Sequence, residues 1–147
     1  MARVDLKSAS PAAPPMHGIL ELAVTATREE RAAAVEAARE SGKSIAIHFA
    51  KFNDGRGFSV ARVLRSEHGF TGEILATGHT IPDQALHLLR CGFDVVEMSD
   101  PTRLPQWKKS LESCWRAYQT AARNPLAMRR EAARKKIRNP RELEEAA

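Results

Sequence analysis

With 147 residues, the chain is long enough for one compact domain but too short for a complete eight-fold β/α barrel, which needs about 200 residues or more. It has neither the roughly 20 consecutive apolar residues of a membrane span nor the apolar segment of a signal peptide, so we expect a cytoplasmic protein without membrane contacts. The net charge of +5 is uneven, because residues 123–147 hold eight Lys or Arg against four Asp or Glu, and residues 1–122 hold fifteen against fourteen.

The two ends of the chain differ in composition from its middle. Residues 1–17 are rich in Pro, Ala and Ser without periodicity, which predicts a disordered N-terminal tail. Residues 124–147 are predicted as a basic tail, helical or disordered, and residues 18–123 as a single α/β domain. The basic tail could bind nucleic acid or an acidic protein, but a solvated tail explains its charge equally simply, so nucleic acid is not the expected partner.

Strand and helix signals alternate from residue 18 to residue 98. Thr27 and Glu30 form a capping box at the start of an Ala-rich helix, and Gly42 follows its end. Gly92 ends a later helix in the same way, and Pro82 occupies the first turn of that helix, where its missing N–H costs nothing. The predicted strands are residues 19–25, 44–50, 72–77 and 93–98, and the predicted helices are residues 27–41, 58–67 and 82–91.

This alternation is typical of a parallel α/β fold with right-handed crossovers. We therefore predict a small parallel sheet of about four strands with crossover helices, either partly β/α-barrel-like or open and three-layered. A long C-terminal helix should follow, since apolar residues recur at helical spacing up to Asn124-Pro125. That stripe consists of Leu104, Trp107, Leu111, Cys114, Tyr118 and Ala122, and Trp115 widens it.

The loop after the second predicted strand is the first candidate site. Parallel sheets bind ligands at the carboxyl ends of their strands, and here the glycines permit close backbone approach to a ligand. Arg56 adds a guanidinium suited to an oxyanion, and the next helix adds free amides. The alternative is a structural loop in which Asp54 accepts amide bonds from its own turn and Arg56 pairs with Asp54 or with a carboxylate on the neighbouring loop. The predicted ligand-binding residues are Asp54, Gly55, Arg56, Gly57 and Ser59.

Two further strand ends supply weaker candidates. His79 follows the third predicted strand and could act in acid–base catalysis, and Glu97 near the end of the fourth could orient Arg56 or His79. Thr80 is expected to cap the helix that begins at Pro82. Cys91 is expected to have a packing role, because a cysteine at a helix C-terminus is a poor thiolate. His48, within a strand, is expected to be a hydrogen-bonded core or edge histidine rather than a ligand. With two cysteines at unsuitable spacing, we expect no metal site, and no fingerprint indicates a cofactor.

Three segments resemble one known family, domain of unknown function 934. They are Phe52 to Arg65, which reads FNDGRGFSVARVLR, the pair Asp83-Gln84, and Arg90 to Asp94, which reads RCGFD. The family is often labelled an oxidoreductase of sulfite reduction, and its genes accompany those of sulfite reductase and phosphoadenylyl-sulfate reductase. The chain departs from the family pattern at residues 78–80, where Gly-Asp-Val is usual, and at Pro82, where Arg is usual.

The resemblance implies a role in sulfur assimilation without implying catalytic residues. The first expectation is an accessory protein of assimilatory sulfite or sulfate reduction that binds a small oxyanion, or a reductase such as sulfite reductase or phosphoadenylyl-sulfate reductase, at the strand ends. The alternatives are an enzyme, an oxidoreductase by resemblance only, that acts on a sulfur oxyanion or a phosphorylated intermediate, and a nucleic-acid-binding regulator that uses the basic tail.

Overall fold

The computed structural model describes residues 2–113, which form one mixed sheet covered by helices. The strands are β1 (Ala2–Asp5), β2 (Ser10–Pro11), β3 (Ile19–Leu22), β4 (Ser44–Phe49), β5 (Ile74–Gly78) and β6 (Val95–Met98). The helices are α1 (Arg28–Ser41), α2 (Arg56–Ser66), α3 (Ala85–Cys91) and α4 (Leu104–Ser113). Short 3-10 turns, Pro82–Gln84 and Pro101–Arg103, precede α3 and α4.

The sheet has six strands in the order β2-β1-β6-β5-β4-β3. Strands β3 to β6 are parallel neighbours in chain order, as the strand–helix alternation predicts. β1 pairs antiparallel with β6, and β2 pairs antiparallel with β1. The prediction of a small, purely parallel sheet is therefore wrong in size and in direction, because the N-terminal segment adds two antiparallel strands.

The N-terminal segment folds onto the sheet although its composition predicts disorder. Val4 and Leu6 are fully buried, and the amide of Leu6 donates to the carbonyl of Asp94 at 2.8 Å. Without β1, the backbone edge of β6 and the apolar surface beneath Val4 would face water. Burying that surface and pairing that edge offset the entropy of ordering a short segment.

The helices all pack on one face of the sheet. Alternate residues of each strand point to this face, as Ile45, Ile47 and Phe49 do in β4, and they join one large apolar cluster with residues of all four helices. The opposite face carries no helix from residues 2–113. Residues 2–113 thus form a two-layer arrangement, a sheet with helices on one face, rather than an open three-layer one.

The uncovered face has an apolar end and a polar end. At the amino ends of the parallel strands, Ala46, Leu75 and Val95 form a small buried cluster, against which Ala12 packs. The positions two residues further along the same strands are His48, Thr77 and Glu97. Since side chains alternate between the faces of a strand, these three lie on the uncovered face near the carboxyl ends.

A buried ion pair connects helix α2 to the residue that precedes strand β6. Arg65 on α2 bonds Asp94, just before β6, at 2.7 Å, and each side chain is less than a tenth exposed. Arg65 also donates to the carbonyl oxygens of Phe70, Gly72 and Gly92, and Asp94 accepts from the amide of Ile74. Two of the segments that carry the family resemblance therefore meet in one structural network.

The helix ends follow the sequence signals in most places. The capping box of Thr27 and Glu30 is formed, and Gly42 and Gly92 have left-handed backbone after α1 and α3. Thr80 does not cap the following turn, whose N-cap is Ile81 without a side-chain bond. The predicted stripe beyond Ser113, from Cys114 to Ala122, and the tail 124–147 lie outside the described residues.

Candidate functional site

A pocket of about 560 Å³ opens at the carboxyl ends of the parallel strands, on the face without helices. It lies where β/α folds bind ligands, because loops that leave the strands surround a floor of strand residues. Its walls come from β3 to β6, from the loops after β5 and β6, and from Trp107 at the start of α4. The polar and charged residues that line it are Glu21, His48, Thr77, His79, Thr80, Glu97, Ser99, Asp100 and Arg103.

A row of polar side chains crosses four neighbouring strands, and its members on β4, β5 and β6 lie in the floor of the pocket. His48 is in register with Thr77, and its Nδ1 lies 3.3 Å from the Thr77 hydroxyl oxygen. The pairing of Leu75 with Val95 places Thr77 level with Glu97, which is in register with Arg3 on β1. Arg3 donates to the Glu97 carboxylate from Nε at 3.1 Å and lies 3.0 Å from it through Nη2. The order along the row is therefore His48, Thr77, Glu97 and Arg3.

The pair of Arg3 and Glu97 reduces the negative charge of this floor. Their side chains are 14% and 18% exposed, so water screens the pair only partly. Because Arg3 neutralises Glu97, the carboxylate repels an anionic ligand far less than an unpaired one would. The N-terminal strand, which the sequence analysis treats as a tail, thus supplies a charge to the site.

His79 stands at the rim, where the chain leaves β5. Its amide donates to the carbonyl of Phe49 at 2.7 Å, and its ring meets the Phe52 ring edge-on at 5.5 Å between centroids. Gly78 permits this turn, since its φ of +84° is left-handed and an added Cβ would lie 2.6 Å from the His48 ring. The two imidazoles are thereby brought to the same pocket.

Arg103 and Asp100 form the wall that follows β6. Asp100 accepts from the amide and the hydroxyl of Thr102 at 2.9 and 2.6 Å, and these bonds lower the pKa of its carboxyl group. Arg103 donates from Nε to Gln106 at 3.1 Å. Among residues 2–113, no side chain bonds its two terminal nitrogens, so they can serve a ligand.

The glycine loop after β4 does not line this pocket. Arg56 binds Asp54 through two nitrogens, at 3.0 and 2.7 Å, and these bonds lower the pKa of Asp54 to about 2 and raise the pKa of Arg56. Arg56 therefore pairs with Asp54, as the structural interpretation of this loop predicts. Gly57 serves packing, because an added Cβ would lie 2.6 Å from the Phe49 ring, and Ser59 is exposed within α2.

The structure thus separates the predicted candidates into two places. His79 and Glu97 meet in the pocket, whereas Asp54, Gly55, Arg56, Gly57 and Ser59 belong to the neighbouring loop and helix. Sequence reasoning missed three residues that line the pocket with them, namely His48, Thr77 and Arg103. The sequence does carry one signal for His48. It alternates with Ile45, Ile47 and Phe49 along the strand, so it must point to the opposite face of the sheet.

Cys91 is a packing residue, as its position at a helix end predicts. It is 6% exposed, and burial raises the pKa of its thiol. Its sulfur lies 3.8 Å from His87 Nε2, and the His87 ring packs on Phe58 with centroids 4.4 Å apart. Burial and the charges of Arg90 and Arg62 lower the pKa of His87, so this pair does not provide a thiolate nucleophile.

Residues 2–113 also bear on two other kinds of site. No group of three His, Cys, Asp or Glu side chains in this part of the chain has the arrangement to hold a metal ion. No helix within the same residues is long and apolar enough to pass through a membrane.

Comparison with known proteins finds one family. The family model described as "Bacterial protein of unknown function (DUF934)" matches residues 23–129. The match begins after β3 and includes every parallel strand that carries a polar residue of the row. No curated protein and no solved structure matches the chain.

Proposed function

The chain belongs to the DUF934 family, and from the pocket on its uncovered face we propose that it is an accessory protein of sulfite or sulfate reduction that binds a small sulfur oxyanion. One observation carries the proposal: hydrogen-bond donors from His48, Thr77, His79 and Arg103 converge on a pocket at the strand ends. The sulfur chemistry comes from the family resemblance, and the anion preference comes from these donors.

The donor set suits an oxyanion with several equivalent oxygen atoms. His48 and Thr77 share one hydrogen bond, which leaves that pair one proton for a ligand, and the ring of His79 can donate another. Arg103 offers two parallel N–H groups, which match two oxygens of one sulfur centre. Three acidic residues also line the pocket, namely Glu21, Glu97 and Asp100. Arg3 pairs with Glu97, and the Thr102 hydroxyl donates to Asp100.

Calorimetric titration with sulfite and sulfate tests the proposal. Arg103→Ala should weaken binding about tenfold or more, since a hydrogen bond to a charged group contributes about 1.5–3 kcal/mol. His48→Ala and His79→Ala should each weaken it, without a loss of secondary structure by circular dichroism, because both side chains are exposed.

Arg56→Ala is the matched control. It also removes an exposed arginine, but one that is bound to Asp54 outside the pocket, so binding should equal that of the wild type. If Arg56→Ala abolishes binding and Arg103→Ala does not, the ligand occupies the glycine loop instead. If neither anion binds, the proposal is refuted.

The proposed partner is a reductase of the same pathway, sulfite reductase or phosphoadenylyl-sulfate reductase. Co-purification with the full chain tests this part separately from anion binding. Turnover of sulfite by the mixed proteins, compared with the reductase alone, distinguishes an accessory role from an enzyme that acts on its own.

A further inference from the structure

Arg103 lines a second pocket as well as the first. The second pocket has a volume of about 410 Å³ and lies between the turn Pro82–Gln84 and helix α4. Its charged residues are Arg103, Lys109 and Asp83, which together give a formal charge of +1. One guanidinium therefore borders both cavities, the first at the strand ends and the second at the surface of α4.

Arg103 is oriented for such a shared role. Gln106, which lines the second pocket, accepts from its Nε at 3.1 Å and holds the side chain at the boundary. In the described part of the chain, the two terminal nitrogens have no other partner. Lys109, further along α4, brings a cation to the second pocket.

We propose that the natural ligand carries two anionic groups, a sulfur oxyanion in the first pocket and a second anionic group beside Lys109, with Arg103 between them. This inference rests on the proposed function of the first pocket and adds the ligand class. A lone sulfite or sulfate ion occupies only one of the two pockets. A ligand with two linked groups gains the second contact at little further entropic cost.

A series of sulfonates tests the proposal by calorimetry at low salt, where surface charges are least screened. The probes are methanesulfonate and the ethane-, propane- and butanedisulfonates with a sulfonate at each end. We expect one spacer length to bind about fivefold more tightly than methanesulfonate, the gain from one exposed charge contact of about 1 kcal/mol.

Variants of the second pocket should change this gain in opposite directions. Lys109→Ala should remove the advantage of the best disulfonate, and Asp83→Asn should increase it. Lys108→Ala is the matched control, because its neighbouring lysine is equally exposed but lines neither pocket, and it should leave all affinities unchanged.

The outcomes separate this inference from the proposed function. If sulfate and methanesulfonate bind but no disulfonate binds more tightly, or if Lys109→Ala equals Lys108→Ala, the two-group ligand is refuted and the oxyanion site stands. If sulfate and every sulfonate fail to bind, both proposals are refuted together.

Discussion

Replacing Arg3, the cation that neutralises Glu97 in the pocket floor, should lower both the affinity for an anion and the free energy of unfolding. In Arg3→Met the carboxylate of Glu97 loses its partner at 3.0 Å, while the apolar stem of the side chain is largely kept. A hydrogen bond to a charged group contributes about 1.5–3 kcal/mol. Since the pair is 14% and 18% exposed, water solvates the carboxylate that remains, and we expect a loss near 2 kcal/mol rather than the 3–5 kcal/mol of a fully buried pair.

The same substitution should weaken anion binding by about as much as it weakens folding. An unpaired Glu97 about 8 Å from a bound anion, at an effective dielectric constant of about 20, repels it by about 2 kcal/mol, or roughly thirtyfold in affinity. A stability loss of about 2 kcal/mol should lower the melting temperature by about 8 °C for a domain of this size. Sulfate titration at a temperature well below the melting transition measures the binding effect alone.

The double variant Arg3→Met with Glu97→Gln identifies the cause. Because it removes both charges, it should bind sulfate nearly as well as the wild type. Arg39→Met is the control, since Arg39 pairs with Glu36 on the exposed side of α1 and should leave affinity unchanged. If the double variant binds as poorly as Arg3→Met, charge neutralisation is not the role of Arg3, and the reasoning fails.

Three further predictions concern groups outside the pocket. The pKa of His87 is below its usual value in the fold, so the unfolded chain binds more protons than the folded one. Stability should therefore fall as the pH drops below about 6.5. His87→Gln should reduce this fall, as measured by urea titrations at pH 5 and pH 8. Asp54, with its pKa lowered to about 2 by Arg56, should stabilise the fold above about pH 4 and lose this effect as the pH approaches 2, and Asp54→Asn should abolish that part of the acid transition. Gly57→Ala should destabilise the fold by about 1–3 kcal/mol in chemical denaturation, because its methyl group would overlap Phe49; an unchanged midpoint would contradict the packing role.

Local signals predict the helices and parallel strands well. The capping box at Thr27 and the left-handed glycines at 42 and 92 depend only on neighbouring residues, so the sequence displays them directly. β1 has no such signal, because its stability comes from pairing with a strand more than 90 residues away. Composition alone therefore predicts disorder where the fold has a strand.

The site is predictable only in part for a related reason. Position at a strand end identifies His79 and Glu97, since that rule follows from parallel topology alone. Which face of the sheet the helices leave open depends on the handedness and order of all the crossovers together. Without that information His48 reads as a packing residue, and Arg103 and Thr77 do not stand out.

The position of β1 in the sheet also affects how the protein is made. β1 leaves the ribosome before the other strands of the sheet, and its partner β6 is translated almost 100 residues later, so β1 remains unpaired with β6 while β3, β4 and β5 can already pair in order. Contacts of such long sequence separation form slowly. We therefore expect β1 to join the sheet, and Arg3 to pair with Glu97, in a late step of folding. A nascent or truncated chain that ends before Met98 cannot complete the site, even if most of its helices have formed.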